Sequence, residues 1–166
     1  ACNVRCTYCM PANATFAKVH DLLPPDEIAL IVSNLVQIGI EEVRLTGGEP
    51  TLRNELLEIT ERLSALPLRS IGLTTNGLHL SRLAKDLKKA GLNGVNVSLD
   101  GMSEKRFTHI ARRSGFHEVV KGIDAALDAG LKVKINTVLM KQNFDDVPDF
   151  LKFAEERSIE IRFLEL

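Results

Sequence analysis

Helical and strand-forming patterns alternate along almost the whole chain of 166 residues, and this alternation restricts the fold more than any other feature. Apolar residues at helical spacing predict helices at 25–38, 53–65, 80–90, 115–129 and 145–157. Short β-rich segments predict strands at 42–46, 70–75, 94–99, 132–138 and 159–164. Because this alternation joins parallel strands through crossover helices, it predicts an α/β fold. No linker-like or low-complexity segment interrupts the pattern, which favours a single domain over 1–166.

The first predicted helix, 25–38, has clear start signals and an apolar face. A proline pair precedes it, and acidic residues follow in its first turn, where the helix dipole favours negative charge. Ile28, Ile31, Leu35 and Ile38 recur at helical spacing, so they are expected to share one face.

The predicted strands alternate apolar and polar side chains, so one face of the sheet is apolar and the other is polar. The polar face is predicted to carry Arg44, Thr46, Thr74, Asn76, Asn96, Ser98, Asp100, Lys134, Asn136, Glu160 and Arg162. A closed eight-stranded barrel fills its interior with branched apolar layers, which these residues cannot provide. The pattern favours a partial TIM-like (β/α) barrel with outer helices and a polar lumen of ligand size. The alternative is an open sheet with one face in water, which is more typical of antiparallel sheets.

Composition excludes several classes of function. The net charge of −1 and the pI of about 6.5 provide no basic excess for a nucleic-acid backbone or an anionic membrane. No apolar run approaches the roughly 20 residues of a membrane-spanning helix. The three cysteines all lie within the first nine residues, which is a poor framework for disulfides and is typical of a reducing, cytoplasmic location.

Cys2, Cys6 and Cys9 form a Cys-x3-Cys-x2-Cys motif whose thiolates can converge on one soft-metal site, either zinc or iron–sulfur. A structural zinc site needs four ligands, and His20 is a weak candidate for the fourth. Electron-transfer clusters are normally held by four cysteines. Three cysteines on a four-iron cluster leave one iron without a protein ligand, and an open position is the mark of a catalytic metal site.

This motif, with Tyr8 before its last cysteine and Gly47-Gly48-Glu49-Pro50 after the strand at 42–46, resembles the radical S-adenosylmethionine (radical SAM) enzymes. The resemblance implies a 4Fe-4S cluster whose open iron is chelated by S-adenosylmethionine. It also implies that reduction cleaves this cofactor to a 5′-deoxyadenosyl radical, which abstracts hydrogen from the substrate. The glycine turn would receive the methionine amino group.

Among these enzymes the chain is most similar to the GTP 3′,8-cyclases of molybdenum cofactor (molybdopterin) biosynthesis. The segments that carry this similarity span the chain in order: Cys9-Met10-Pro11, 44–50, 72–77, 96–100, 133–136 and 159–163. The similarity implies a lyase that cyclises GTP, an electron donor such as flavodoxin, and a homodimer as one form of assembly.

The similarity also implies three sets of site residues. The cluster ligands would be Cys2, Cys6 and Cys9. The contacts to S-adenosylmethionine would be Tyr8, Gly48 and Ser98. The contacts to GTP would be Arg44, Thr74 and Lys134. Two alternatives stay open: Asp100 or Glu160 could neutralise Lys134, and Thr74 and Ser98 could serve the backbone instead of a ligand.

The sequence departs from the cyclase pattern at both ends. The family has a first strand with an arginine before the cluster loop, and a later region with three more cysteines for a second cluster. The chain is therefore expected to be a radical SAM core without its first strand, and to be inactive on GTP by itself. Two other functions remain: a different radical SAM enzyme, such as a peptide-modifying one, or a non-catalytic iron–sulfur module for electron transfer.

Overall fold

Five parallel strands form one sheet in which the spatial order of the strands is their order in the chain. The computed structural model describes residues 1–17 and 21–165. The strands are β1 (Glu42–Leu45), β2 (Ser70–Thr75), β3 (Gly94–Ser98), β4 (Lys132–Leu139) and β5 (Glu160–Glu165). Within the described residues β1 and β5 are the two edges, so the sheet is not closed. The predicted α/β architecture of a partial barrel is confirmed.

One helix precedes β1, and the others connect successive strands. The helices are α1 (Pro25–Gln37), α2 (Leu56–Ser64), α3 (Leu80–Lys89), α4 (Glu104–Ala111), α5 (Phe116–Asp128) and α6 (Val147–Arg157). Short 3-10 turns at Pro50–Leu52 and Phe144–Asp146 precede α2 and α6. The predicted elements match the observed ones within about three residues, except that α4 was not predicted.

The core lies between the apolar face of the sheet and the helices. Leu73 and Val97 on the central strands are fully buried, as are Leu87 of α3 and Ile123 of α5. In the strand register Thr74 lies beside Asn96, Asn96 beside Lys134, and Lys134 beside Glu160, so these predicted polar residues share the opposite face of the sheet.

Helix α1 buries only part of the stripe that its spacing suggested. Val32 is buried and Ile28 packs partly buried against the core, whereas Ile31, Leu35 and Ile38 are 47%, 39% and 78% exposed. The helix is apolar on more than one face, so periodicity alone could not identify the face that packs against α2.

No helix in the described part of the chain is both long enough and apolar enough to cross a membrane.

Candidate functional site

The loop that carries the three cysteines lies over the carboxyl-terminal ends of the strands. The main-chain N–H groups of Arg5 and Thr7 donate to the carbonyls of Ala111 and Ile110, both at 2.9 Å, which fastens the loop to the end of α4. On the other side, the N–H of Glu49 donates to the carbonyl of Ala1 at 2.7 Å. The start of the cysteine loop is thereby joined to the turn that follows β1.

A cavity of about 180 Å³, here called the cysteine cavity, separates this loop from the sheet. Side chains or backbone from the loop and from the ends of β1, β2 and β3 line it: Cys2, Val4, Cys6, Tyr8, Cys9, Met10, Thr46, Gly47, Gly48, Glu49, Thr74, Thr75, Asn76 and Ser98. The structure therefore brings together all three cysteines and all three residues predicted to contact S-adenosylmethionine. Thr74, predicted to contact GTP, lies in the same cavity.

All three cysteines are free thiols, with Cys2 and Cys6 partly buried and Cys9 exposed. In the described ranges 1–17 and 21–165, no three Cys, His, Asp or Glu side chains are arranged to hold one metal ion. A four-iron cluster takes each of its cysteines on a different iron and so spreads its ligands around a larger body. Three soft donors that face one cavity suit such a cluster. His20, the weak candidate for a fourth ligand, lies outside the described residues.

Burial, together with the negative charges of Asp100 and the neighbouring thiolates, raises the pKa of Cys6 to about 12. Burial and the charge of Asp100 also raise the pKa of Tyr8, so its hydroxyl remains a protonated donor. A metal that binds Cys6 must therefore displace a proton from this thiol.

In the cluster-free protein, Cys6 is expected to react with iodoacetamide at pH 8 at least ~100-fold more slowly than the exposed Cys9, because the thiolate is the nucleophile. Tandem mass spectrometry of the peptide that contains both residues measures the two rates. In urea the rates should converge. Equal rates in the folded protein would contradict the described burial.

The two glycines of the turn after β1 have different roles. Gly47 adopts φ +153°, and nothing lies within 4 Å of the position that a Cβ would occupy, so it borders open space. At Gly48 a Cβ would lie 2.3 Å from the carbonyl oxygen of Ala1. At Gly48 it is therefore the start of the cysteine loop that approaches the turn closely.

Glu49, in the same turn, is 4% exposed and accepts four hydrogen bonds. Its Oε1 accepts from the backbone and hydroxyl of Thr51 and from the hydroxyl of Thr75, and its Oε2 accepts from the N–H of Asn76 at 2.7 Å. Asn76 in turn donates to Oδ1 of Asn3 at 2.7 Å. One buried carboxylate therefore ties together the turns after β1 and β2, and through Asn76 it reaches the cysteine loop.

A second cavity of about 420 Å³, the basic cavity, lies further down the polar face of the sheet. Its cationic lining residues are Arg44, Arg69, Lys88, Lys132 and Lys134. Along β1, β2 and β3, residues 44, 72 and 96 line the basic cavity. The residues two positions further along the chain, 46, 74 and 98, line the cysteine cavity. Two residues of a strand span roughly 7 Å, so the two cavities follow one another along one face.

Arg44 lies flat against β2 in the basic cavity. A Cβ on Gly72 would lie 2.8 Å from its guanidinium carbon, so a larger residue at this position would force the Arg44 side chain to move. Within the described part of the chain, Arg44 forms no ion pair. Its guanidinium is thus available to a ligand.

Lys134 is paired with Glu160. Its Nζ lies 2.8 Å from Oε2 of Glu160, and the hydrogen bonds from Lys134 and Arg162 lower the pKa of Glu160. Two carboxylates, Asp100 and Glu160, were candidates to neutralise Lys134. In the structure Glu160 pairs with Lys134, whereas Asp100 accepts a hydrogen bond from the Tyr8 hydroxyl.

The family model of the radical SAM superfamily matches residues 1–154 of the chain. The chain belongs to the radical SAM superfamily. The cofactors of this superfamily are a 4Fe-4S cluster and S-adenosylmethionine, in agreement with the prediction from the cysteine motif.

Two curated relatives of this radical SAM domain are more than 40% identical to it in sequence. Molybdenum cofactor biosynthesis protein 1 of Drosophila melanogaster is 44% identical over 99% of the chain, and GTP 3′,8-cyclase of Marinobacter nauticus is 41% identical over 99%. The chain spans 30% of the first protein and 50% of the second.

Solved structures share the fold of the radical SAM domain. Streptococcus suis SuiB bound to its precursor peptide SuiA has a TM-score of 0.84 at 21% identity, covering 99% of this chain and 37% of SuiB. Methylornithine synthase has a TM-score of 0.81 at 17% identity, covering 99% of this chain and 50% of the synthase. At such low identities these likenesses concern the fold alone.

Sequence reasoning missed several polar groups that shape the site of this radical SAM domain. The hydrogen bond from Tyr8 to Asp100, and the one that the side-chain amide of Asn143 donates to the main-chain carbonyl of Asp100, were not predicted, although Asp100 was placed on the polar face. Asn136, the register partner of Ser98, has a buried Oδ1 without a hydrogen-bond partner among the described residues.

Proposed function

We propose that residues 1–166 form the radical SAM core of a GTP 3′,8-cyclase of molybdenum cofactor biosynthesis. The observation that carries this proposal is the succession of two cavities along one polar face, with three thiols at the first and Arg44 and Lys134 at the second. The printed functions of the curated relatives support it. The same proposal includes a cytoplasmic location, an electron donor of the flavodoxin type, and a homodimer as one form of the assembled protein.

Cys2, Cys6 and Cys9 would hold the cluster, and Tyr8, Gly48 and Ser98 would contact S-adenosylmethionine, because all six line the cysteine cavity. When bound, the reduced cluster supplies the electron that converts S-adenosylmethionine into a hydrogen-abstracting 5′-deoxyadenosyl radical. The protein's own contribution is to fix the loop, through the bonds of Arg5, Thr7 and Glu49, and to hold the substrate within reach.

The triphosphate of GTP would lie in the basic cavity, and its ribose would extend towards Thr74 in the cysteine cavity. Lys134 and Glu160 are 35% and 47% exposed, and an ion pair of that kind is screened by water and weak. Two unit charges at 4 Å gain about 4 kcal/mol at an effective dielectric near 20, and a triphosphate presents several charges at once. A polyanion therefore competes successfully with Glu160 for Lys134.

Replacing Lys134 or Arg44 with alanine is expected to weaken GTP binding by roughly 10- to 100-fold each, since each substitution removes a charge-assisted hydrogen bond. The shift in Tm at increasing GTP concentration measures the affinity. The matched control is Lys152→Ala, because Lys152 is an exposed lysine on α6 outside both cavities. If GTP fails to raise the Tm of the unmodified chain, or if Lys134→Ala binds GTP as tightly as Lys152→Ala, the assignment of substrate is wrong.

A further inference from the structure

Tyr8 makes a long-range contact from the middle of the cysteine loop. It is the single tyrosine of the sequence and stands between Cys6 and Cys9. Its hydroxyl donates to Oδ2 of Asp100 at 2.8 Å, a partner 92 residues away in the chain. Asp100 lies just beyond the end of β3, after Leu99, and is 8% exposed.

Asp100 is itself held in place by hydrogen bonds from Val138 and Asn143. Its Oδ1 accepts from the N–H of Val138 at 2.8 Å, and its main-chain carbonyl accepts from Nδ2 of Asn143 at 2.9 Å. Asn143 is fully buried, and it also binds the carbonyl of Val138 and the N–H of Met140. The carboxylate is therefore fixed to the ends of both β3 and β4.

The second half of the cysteine loop has little else to hold it. Arg5 and Thr7 are fastened to the end of α4, but the main-chain bonds made by Cys9 and Met10 go back to Cys6 within the loop. Among the residues that the structure describes between 8 and 17, the Tyr8 hydroxyl makes the one hydrogen bond to the rest of the domain. The direction of the Tyr8 ring, and of the chain that leads to Cys9, thus depends on Asp100.

We propose that Asp100 is a positioning residue that fixes the Tyr8 ring at the cysteine cavity, so that the ring and Cys9 are preorganised before a cofactor enters. This role rests on the proposed function in one respect, the contact between Tyr8 and S-adenosylmethionine. The anchoring of the loop can be tested without it.

The first test measures hydrogen exchange of residues 8–10 in the cluster-free chain. Tyr8→Phe retains the ring and removes only the hydroxyl, and Asp100→Ala removes the acceptor. Both are expected to exchange about tenfold faster than wild type in this segment. Asp100→Asn, which can still hydrogen-bond both Tyr8 and Val138, should restore slow exchange. The matched control is Asp146→Ala, because Asp146 is a buried aspartate that accepts from the N–H of Met102 and pairs with Arg106, and does not bind the cysteine loop.

The second test measures the dissociation constant of S-adenosylmethionine, from the change that it causes in the electron paramagnetic resonance signal of the reduced, reconstituted cluster. Tyr8→Phe and Asp100→Ala should each raise this constant about tenfold, and the double variant should raise it no further, since the two residues act through one bond. Asp100→Asn should stay within about threefold of wild type, and Asp146→Ala should match wild type.

The outcomes separate the two proposals. If the wild-type chain does not bind S-adenosylmethionine, the proposed function fails, and the exchange data alone decide the role of Asp100. If Tyr8→Phe leaves exchange at residues 8–10 unchanged, or if the effects of the two substitutions multiply in the double variant, the positioning role is overturned. Because Tyr8→Phe makes no cavity, this result stands even if Asp100→Ala does not fold.

Discussion

Replacing Glu49 with alanine is expected to lower the free energy of unfolding by about 4 kcal/mol. The substitution would leave four donors without their acceptor in a site where Glu49 is 4% exposed. A buried donor that loses its partner costs roughly 1–3 kcal/mol, and partial entry of water reduces the sum. The loss is large because a single carboxylate joins the turns after β1 and β2.

Urea unfolding of the cluster-free chain under reducing conditions measures this effect. Glu49→Gln keeps one carbonyl acceptor and should lose about half as much as Glu49→Ala. The matched control is Glu58→Ala, on the exposed side of α2, which should change the free energy of unfolding by less than about 0.5 kcal/mol. A Glu49→Ala variant as stable as the Glu58→Ala variant would show that this network does not hold the turns together.

Replacing Cys2, Cys6 or Cys9 with alanine is expected to reduce reductive cleavage of S-adenosylmethionine by at least about a thousandfold. With two thiolates the cluster would have two irons without a protein ligand, and it would be lost or become unstable. Serine is expected to rescue poorly, because iron–sulfur clusters favour soft thiolate ligands. Iron and sulfide content after anaerobic reconstitution, together with the yield of 5′-deoxyadenosine, measures the effect.

The matched control for the cysteine variants is Thr7→Ser, an exposed position in the same loop whose main-chain bond to Ile110 is retained. It should keep full cluster content. Circular dichroism checks that each cysteine variant remains folded. One cysteine that can be removed without loss of iron would mean that the cluster does not depend on all three.

Most of the architecture could be predicted from the sequence because strand and helix periods differ and alternate regularly. Helix α4 was missed, although its signals are local: Ser103 caps the N–H of Arg106, and Phe107, Ile110 and Ala111 are buried at helical spacing. The helix is short and follows closely on β3, where a loop was expected. The packing face of α1 could not be predicted either, because both of its apolar stripes satisfy the same period.

Part of the candidate site could likewise be predicted from the sequence, and part of it could not. The cysteine motif and the glycine turn could be assigned to one site because parallel strands end at the same edge of a sheet. The partner of Lys134 depended on register: Lys134 is opposite Glu160 in the pairing of β4 with β5, and no local pattern encodes that alignment. The bond between Tyr8 and Asp100 joins residues 92 apart, so it exists only in the folded chain.

We propose that three thiols hold a four-iron cluster whose open iron binds S-adenosylmethionine. The most direct test is to reconstitute the chain without oxygen, reduce it with dithionite, add S-adenosylmethionine, and measure iron, sulfide, zinc and 5′-deoxyadenosine in the same sample. We predict about four irons and four sulfides per chain, a resonance signal that changes on addition of the cofactor, and formation of 5′-deoxyadenosine. Zinc in place of iron, or a redox-active cluster that yields no 5′-deoxyadenosine, would contradict the account.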